Sequence, residues 1–449
     1  MLKLPAVTCE EMSCGPCGDF YNRFLRTERR GTNFCDQQPQ HNHHPLKPLL
    51  SLILLTTSAL ARSPLPLPAT TPWNLKALER VPAFGWLDES KPIREIFYEG
   101  EPYEGRSTGV FAYYASPATL GIDKTPGKKF PGAVLIHGGG GNAFEQWVEV
   151  YAKRGYAAIS MDLAGFWKPT PGSKPERHGE WGPNQEDKTK FSETAPPHRD
   201  QWTYHAVADI LLAHSLIRSL PEVDVERTGV TGISWGGYLT CIVAGVDPRF
   251  KVAVPQYGCG FLSENSAWSK DWFDPKKPEW TWMQKWTQLW DPSNYVGSAT
   301  MPMLFLNGSN DFAYPLDSYV KTYALAQGPK NIAIKPAMPH GHIFDVPEAL
   351  IFIDSVLQDG VPLARVTRCV VEGGKVIADV ETKTALTSAD LYFTTAPHVE
   401  NQKRAWITLP LTIDGAKVTG DAPPADATAW YVSIKDERGA LVSSEAGIR

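Results

Sequence analysis

The segment Gly232-Ile233-Ser234-Trp235-Gly236-Gly237 spaces a serine between glycines as Gly-x-Ser-x-Gly. A β-type run, Thr228–Thr231, precedes it and an apolar, helix-like stretch to Val246 follows. That strand–turn–helix context is the one in which a serine is lifted onto a strained bend as a nucleophile. Side chains beside such a bend would clash with sheet and helix, which explains the glycines. The bend also places Ser234 at a helix N-terminus and aims the Trp235 N–H at the site, where developing negative charge is favoured. The simpler alternative is a glycine-rich turn without chemistry. A second run, His137-Gly138-Gly139-Gly140-Gly141, follows the apolar residues ending at Ile136. Bare backbone there lets N–H groups approach a ligand closely, as an oxyanion hole requires. Gly139 is the first choice of donor beside Trp235, and Gly138 the next. A phosphate loop would need a lysine and a Ser/Thr that are missing here.

A serine nucleophile needs an acid and a base, in the chain order Ser, Asp/Glu, His for this arrangement. Asp311 lies in Asn307-Gly308-Ser309-Asn310-Asp311, just past the run Met303–Leu306, where a strand end would face the catalytic edge of a sheet. Asp317 is the nearest competitor and is read as solvated on the next helix. Met338-Pro339-His340-Gly341-His342 offers two bases; His340 ranks ahead of His342, which could instead be structural. The chemistry is then acyl transfer: His340 takes the Ser234 proton, Asp311 steadies the imidazole, and water hydrolyses the acyl-enzyme. It calls for no cofactor and no metal.

The elements that must position these groups show in the hydrophobic pattern. Ala133–Ile136, Tyr156–Met161, Lys251–Val254, Met303–Leu306 and Asn331–Ile334 are short apolar runs, as expected of strands buried on both faces. Trp202–Ser219 and Pro347–Leu357 carry apolar residues at helical spacing. Strands alternating with helices predict an α/β fold, a mostly parallel sheet with helices on both faces, over residues 131–360. Residues 62–130 read as an N-terminal extension with the first strands, Arg94–Tyr98 and Gly109–Tyr114. From residue 361 to 449, the β-type segments Val366–Val371, Lys375–Val380, Asp390–Thr394, Trp406–Leu411 and Trp430–Lys435 alternate with turns, which predicts a small Ig-like β-sandwich.

Composition narrows the class. The 449 residues are 42% hydrophobic and 21% charged with a formal net charge of −5, which excludes a mainly disordered or polytopic membrane chain and argues against a nucleic-acid partner. In residues 46–61, Lys47, an apolar core from Leu49 to Leu55, and Ala59-Leu60-Ala61 are ordered as in a secretory signal peptide. Cleavage is expected after Ala61, giving a secreted or periplasmic protein without a membrane anchor. The 45 residues before it fit no such signal and read as a start assigned too far upstream. They hold Cys9, Cys14, Cys17 and Cys35 and the histidines His41, His43 and His44. Cys14-Gly15-Pro16-Cys17 spells a redox motif but lacks the strand–helix context that would activate it. Cys241, Cys259 and Cys369 alone follow, too few for a disulfide framework.

The stretch GISWGGYLT resembles the elbow of prolyl-oligopeptidase-type serine hydrolases. LIHGGGGN, NGSNDFAYP and MPHGH, in this order, resemble acetyl xylan esterases and cephalosporin-C deacetylases of the α/β-hydrolase superfamily. The resemblance covers about Phe84 to Gln358. It implies the triad Ser234, Asp311 and His340, an oxyanion hole from Trp235 with Gly139 or Gly138, and a carboxylic ester of a small molecule or polysaccharide as substrate. A prolyl-oligopeptidase-type peptidase is the second expectation, weakened because the roughly 70 residues between signal and sheet are too few for a β-propeller. A non-catalytic carbohydrate-binding protein is the third.

Two insertions bear on the substrate. The first, about 165–202, contains Trp167, His178 and Trp181. The second, about 261–291, holds Trp268, Trp272, Trp280, Trp282, Trp286 and Trp290, six of the fifteen tryptophans. The spacing of the last four partly follows a helical face, so a helix packed on the core competes with an aromatic platform for a sugar ring.

Overall fold

The computed structural model describes residues 63–167, 176–177, 182–193, 197–396 and 400–449. The signal segment, the cysteines and histidines before it, and His178 and Trp181 lie outside the described residues.

The strands run in chain order β1 (Phe84–Trp86), β2 (Arg94–Glu99), β3 (Gly109–Ala115), β4 (Phe130–Ile136), β5 (Ala157–Met161), β6 (Phe166–Trp167), β7 (Glu176–Arg177), β8 (Val223–Ile233), β9 (Val252–Gln256), β10 (Met303–Gly308) and β11 (Lys330–Lys335). Apart from the β6–β7 pair they form one nine-stranded sheet in the order β1-β2-β3-β5-β4-β8-β9-β10-β11. From β5 to β11 every neighbouring pair is parallel. Parallel strands need crossovers, and these are the helices Glu145–Lys153, Trp202–Ser219, Trp235–Val246 and Leu316–Leu325, with the helices between residues 262 and 290 joining β9 to β10; helix Pro347–Leu357 follows β11 and packs back on the sheet. Covered on both faces, β4 and β5 are buried along their whole length, which is why they read as unbroken apolar runs. The first three strands, set apart in the sequence as an extension, join the same sheet by antiparallel pairing through β3 and β5.

Helix Trp202–Ser219 is apolar nearly all round and is buried from Trp202 to Ile217. Such a helix is stable only between other layers. The second insertion folds as three helices, Leu262–Asn265, Ser269–Trp272 and Trp280–Trp290.

The tail forms two antiparallel sheets. One has the order β12 (Arg365–Glu372), β13 (Lys375–Glu381), β17 (Lys417–Asp421), β16 (Thr412–Asp414); the other has β15 (Ile407–Pro410), β14 (Leu386–Thr394), β18 (Ala429–Asp436), β19 (Leu441–Ser443), with β20 (Gly447–Ile448) paired to β18. Alternate side chains turn inward, Val376, Ala378 and Val380 from β13 and Ala389, Leu391 and Phe393 from β14. The tail seals the β11 edge of the large sheet: the Ile334 N–H donates to Ser443 Oγ at 3.0 Å, and the Leu441 N–H donates to Glu348 Oε1 at 2.9 Å. An uncovered parallel edge would be a template for unwanted pairing.

Candidate active site

Ser234 stands between β8 and helix Trp235–Val246 with φ +59° and ψ −117°, a conformation that strains any side chain larger than hydrogen. Its N–H donates to the Gln256 carbonyl at 2.9 Å and its carbonyl accepts the Tyr238 N–H at 2.9 Å, so neighbours on both sides hold the bend. The flanking glycines are required by space. A Cβ on Gly232 would sit 2.2 Å from the Gly236 oxygen, and one on Gly236 would sit 2.0 Å from the Ile136 oxygen.

Three loops at the C-terminal ends of β8, β10 and β11 bring Ser234, Asp311 and His340 together. His340 Nδ1 lies 2.6 Å from Asp311 Oδ2, and its Nε2 lies 2.8 Å from Ser234 Oγ. An ionised carboxylate only accepts, so the imidazole donates through Nδ1–H and leaves Nε2 free to take the serine proton. Asp311 is 2% exposed, and its second oxygen accepts the N–H groups of Ala313 and Tyr314 at 2.9 and 2.8 Å. That leaves the first oxygen to the histidine. Phe312, 55% exposed, packs its ring 4.8 Å from that of His340, with Tyr257 at 4.9 Å on the buried side. Asp317 sits on the helix after Asp311, outside this chain of bonds, where Asn265 donates to it.

The second histidine is not placed as a base. His342 Nε2 accepts the Gly138 N–H at 3.1 Å, and its ring packs 4.8 Å from Phe144. This corrects the expectation for Gly138, whose N–H is engaged by His342 and does not face a substrate oxygen. No acceptor among the described residues takes the Gly139 N–H. Trp235 occupies the first position of its helix, where no intrahelical carbonyl meets the N–H. The two remaining donors, Gly139 and Trp235, adjoin one another: a Cβ on Gly139 would lie 2.9 Å from Trp235 Cδ1.

His137, at the start of the glycine run, is fully buried. Its Nε2 accepts the Leu163 N–H at 2.9 Å, so its proton sits on Nδ1, which donates to the Gly138 carbonyl at 2.8 Å. Burial pushes its pKa down to about 4, keeping it neutral in ordinary buffers.

The tryptophan-rich insertion forms a wall beside the nucleophile. The Trp235 ring is packed by Trp268 at 4.6 Å, Tyr238 at 4.9 Å, and Trp202 and Phe191 at 5.8 Å, with Lys190 Nζ 4.4 Å from its centre. Burial lowers the Lys190 pKa while its ion pair with Asp187 at 2.9 Å raises it in part. Trp286 and Trp290 are completely buried, their indole N–H groups donating to the Lys190 carbonyl and to Gln201 Oε1. Those two belong to the packed face of their helix; Trp268 and Trp272 stay half-buried.

Two contributors had no signal in the sequence. Tyr257 follows β9 at φ +62° beneath His340. Asn401, in the tail, donates from Nδ2 to the carbonyls of Asp311 and Ser309 at 2.9 and 3.3 Å. Asn310 returns the contact, donating to the Arg404 carbonyl at 2.8 Å. Among the described residues no group of three or more His, Cys, Asp or Glu is placed to hold a metal ion, and no helix is long and apolar enough to cross a membrane.

Residues 189–351 match the prolyl oligopeptidase family model. Among curated proteins, 244 residues are 24% identical to the acetyl esterase Axe7A of Xylanibacter ruminicola, covering 52% of this chain and 53% of that one. A shorter stretch of 109 residues is 31% identical to the uncharacterized peptidase YuxL of Bacillus subtilis, covering 22% of this chain and 16% of that one. The chain therefore spans about half the length of the esterase and a smaller part of the peptidase. Among solved structures, the acetyl xylan esterase from Paenibacillus sp. R4 is 22% identical with a TM-score of 0.52, over 63% of this chain and 92% of that chain. Fold and matches agree: the chain has the α/β-hydrolase fold and is similar to acetyl xylan esterases and to the prolyl oligopeptidase family.

Proposed function

We propose that the protein is a serine hydrolase that cleaves carboxylic esters through an acyl-enzyme, with acetyl groups on carbohydrate as the substrate class. The carrying observation is the unbroken chain Asp311–His340–Ser234 at 2.6 and 2.8 Å, beside two N–H groups that no acceptor among the described residues claims. In this reading Ser234 Oγ attacks the ester carbonyl while His340 Nε2 takes its proton. The negative oxygen is met by the N–H groups of Gly139 and Trp235. His340 then protonates the leaving alcohol, and water, deprotonated by the same nitrogen, releases the acid. An acetyl esterase and an acetyl xylan esterase among the relatives support the acyl group and the carbohydrate. The apolar wall around Trp268 and the exposed Phe312 are suited to the face of a sugar ring. The ordered signal pattern of residues 46–61 supports an exported, secreted or periplasmic, enzyme.

The family match over residues 189–351 favours a second reading, a peptidase with the same triad. Release assays with p-nitrophenyl acetate, acetylated xylan and a proline-containing peptide separate the two. Wild-type enzyme is expected to deacetylate both esters. Ser234→Ala should lower kcat by on the order of 10³-fold or more, and Asp311→Asn by about 10²–10⁴-fold. Peptide cleavage without ester cleavage overturns the esterase reading in favour of the peptidase. Ester cleavage that survives in Ser234→Ala overturns the nucleophile itself.

A further inference from the structure

A run of four glycines is a poor scaffold for an oxyanion hole. Glycine populates both signs of φ, so the run must lose much conformational freedom before any N–H is aimed. The structure shows what stops it. Gly138 is flanked by two peptide planes, and each is fixed by a histidine. The plane before it carries the Gly138 N–H, which donates to His342 Nε2 at 3.1 Å. The plane after it carries the Gly138 carbonyl, which accepts His137 Nδ1–H at 2.8 Å and the Gly141 N–H at 3.2 Å. That second plane also contains the Gly139 N–H, and in a trans peptide the N–H points opposite to the carbonyl. Fixing the Gly138 carbonyl therefore aims the Gly139 N–H. His342 sits deep in this turn: a Cβ on Gly141 would lie 2.8 Å from its Nε2, and one on Gly138 3.2 Å. Gly138 also abuts the nucleophile, since its Cβ would lie 3.0 Å from that of Ser234.

We propose that His342 is a positioning residue that clamps the Gly138 N–H, so that the oxyanion turn is pre-shaped and tied to the loop bearing the general base. The proposal rests on the ester-hydrolase reading for its substrate, though the clamp acts on any attack by Ser234. His342 lies two residues beyond His340, so one short loop supplies both the proton acceptor and the brace for the oxyanion donors. The clamp works only while Nε2 is unprotonated, because a proton there would face the Gly138 N–H. The titratable groups around it are His340 on its own loop and His137 across the turn, with Phe144 and Phe344 completing the apolar side. Burial, and secondarily the charge of His340, lower the pKa of His342, which keeps the clamp intact until the pH falls below the usual histidine range.

The test compares His342→Phe, which keeps a ring against Phe144 but has no acceptor, with His342→Gln, whose Oε1 can accept near the Nε2 position and never titrates. Two activities are read. One is p-nitrophenyl acetate hydrolysis. The other is the rate at which a fluorophosphonate labels Ser234: the serine oxygen forms the P–O bond, fluoride leaves, and His340 takes the proton. Labelling needs the oxyanion donors but no particular natural substrate. His342→Phe is expected to lose about 10–100-fold in kcat and in labelling rate, with KM changed about twofold or less. His342→Gln should stay within about fivefold of wild type. The acid limb of the wild-type rate profile should be steeper than that of His342→Gln, because the imidazole at position 342 titrates and the glutamine amide does not. Should His342→Phe fail to fold, this profile and the ¹⁵N spectrum of wild-type histidines, expected to show a bare Nε2 on His342 at neutral pH, still decide the matter. A protonated Nε2 at neutral pH, full labelling of His342→Phe, or equal losses in both variants overturns the clamp. Failure to cleave the ester by a wild type that still labels normally overturns the substrate reading and leaves the clamp standing.

Discussion

At the scale of single residues, charge burial is the most consequential feature outside the triad. Asp209 is 9% exposed, on helix Trp202–Ser219, and its Oδ1 has no hydrogen-bond partner among the described residues. Burial first, and the charges of Glu101 and Asp162 next, hold its pKa well above the ordinary carboxylate value. A pKa raised in the folded state contributes stability that is complete below the unfolded pKa, about 3.9, and is lost as pH rises through the elevated value. Asp209→Asn should therefore match wild type in Tm near pH 4 and exceed it by a few degrees at pH 8. Thermal melts at the two pH values check this; a variant less stable at pH 8 would show an ionised, paired carboxylate. Ser234, His340 and Asp311 were legible in the sequence because each follows an apolar run in a fixed order. The role of His342 was not, since it depends on a peptide 204 residues away in the chain.

Among the elements, the elbow is the least forgiving. Gly236 faces a backbone oxygen of β4, which cannot rotate aside as a side chain could. Gly236→Ala is expected to cost about 3 kcal/mol or more, seen as a sharp drop in soluble yield or denaturant midpoint. Near-wild-type stability would mean that β4 and the helix separate more easily than their contact implies. The parallel strands were readable because strands covered on both faces are apolar throughout. The tail was harder to read. β16 and β17 are short, three and five residues, with patterns too weak to separate from the turns around them. In the tryptophan-rich insertion, the spacing of Trp280, Trp282, Trp286 and Trp290 left a packed helix and an aromatic platform both open, and the structure buries Trp286 and Trp290 completely. What periodicity could not show is that the indole N–H groups stitch this helix to the segment around Lys190 and to Gln201.

Across the whole molecule, the tail is joined to the hydrolase sheet at several separate places. The Leu441 N–H donates to Glu348 on the last helix of the hydrolase part at 2.9 Å, Ser443 covers the β11 edge, and Asn401 holds the carbonyl of Asp311. Asn401→Ala removes two donors from the loop that orients the imidazole. Its expected effect is a fall of about threefold to tenfold in kcat with KM unchanged, and a stability loss of about 1–2 kcal/mol. Asn401→Asp should do worse, because a carboxylate there faces two carbonyl oxygens. Steady-state kinetics and melts of the pair decide it; unchanged kcat in both would reduce the contact to glue.

The amide of Asn401 reaches the acid loop from about ninety positions further along the chain. Swapping this β-rich tail for that of a homologue would therefore retune turnover even when both parts assemble correctly. Drift in the tail is answerable to the reaction, and chimeras joined near residue 360 should be judged by rate before they are judged by yield.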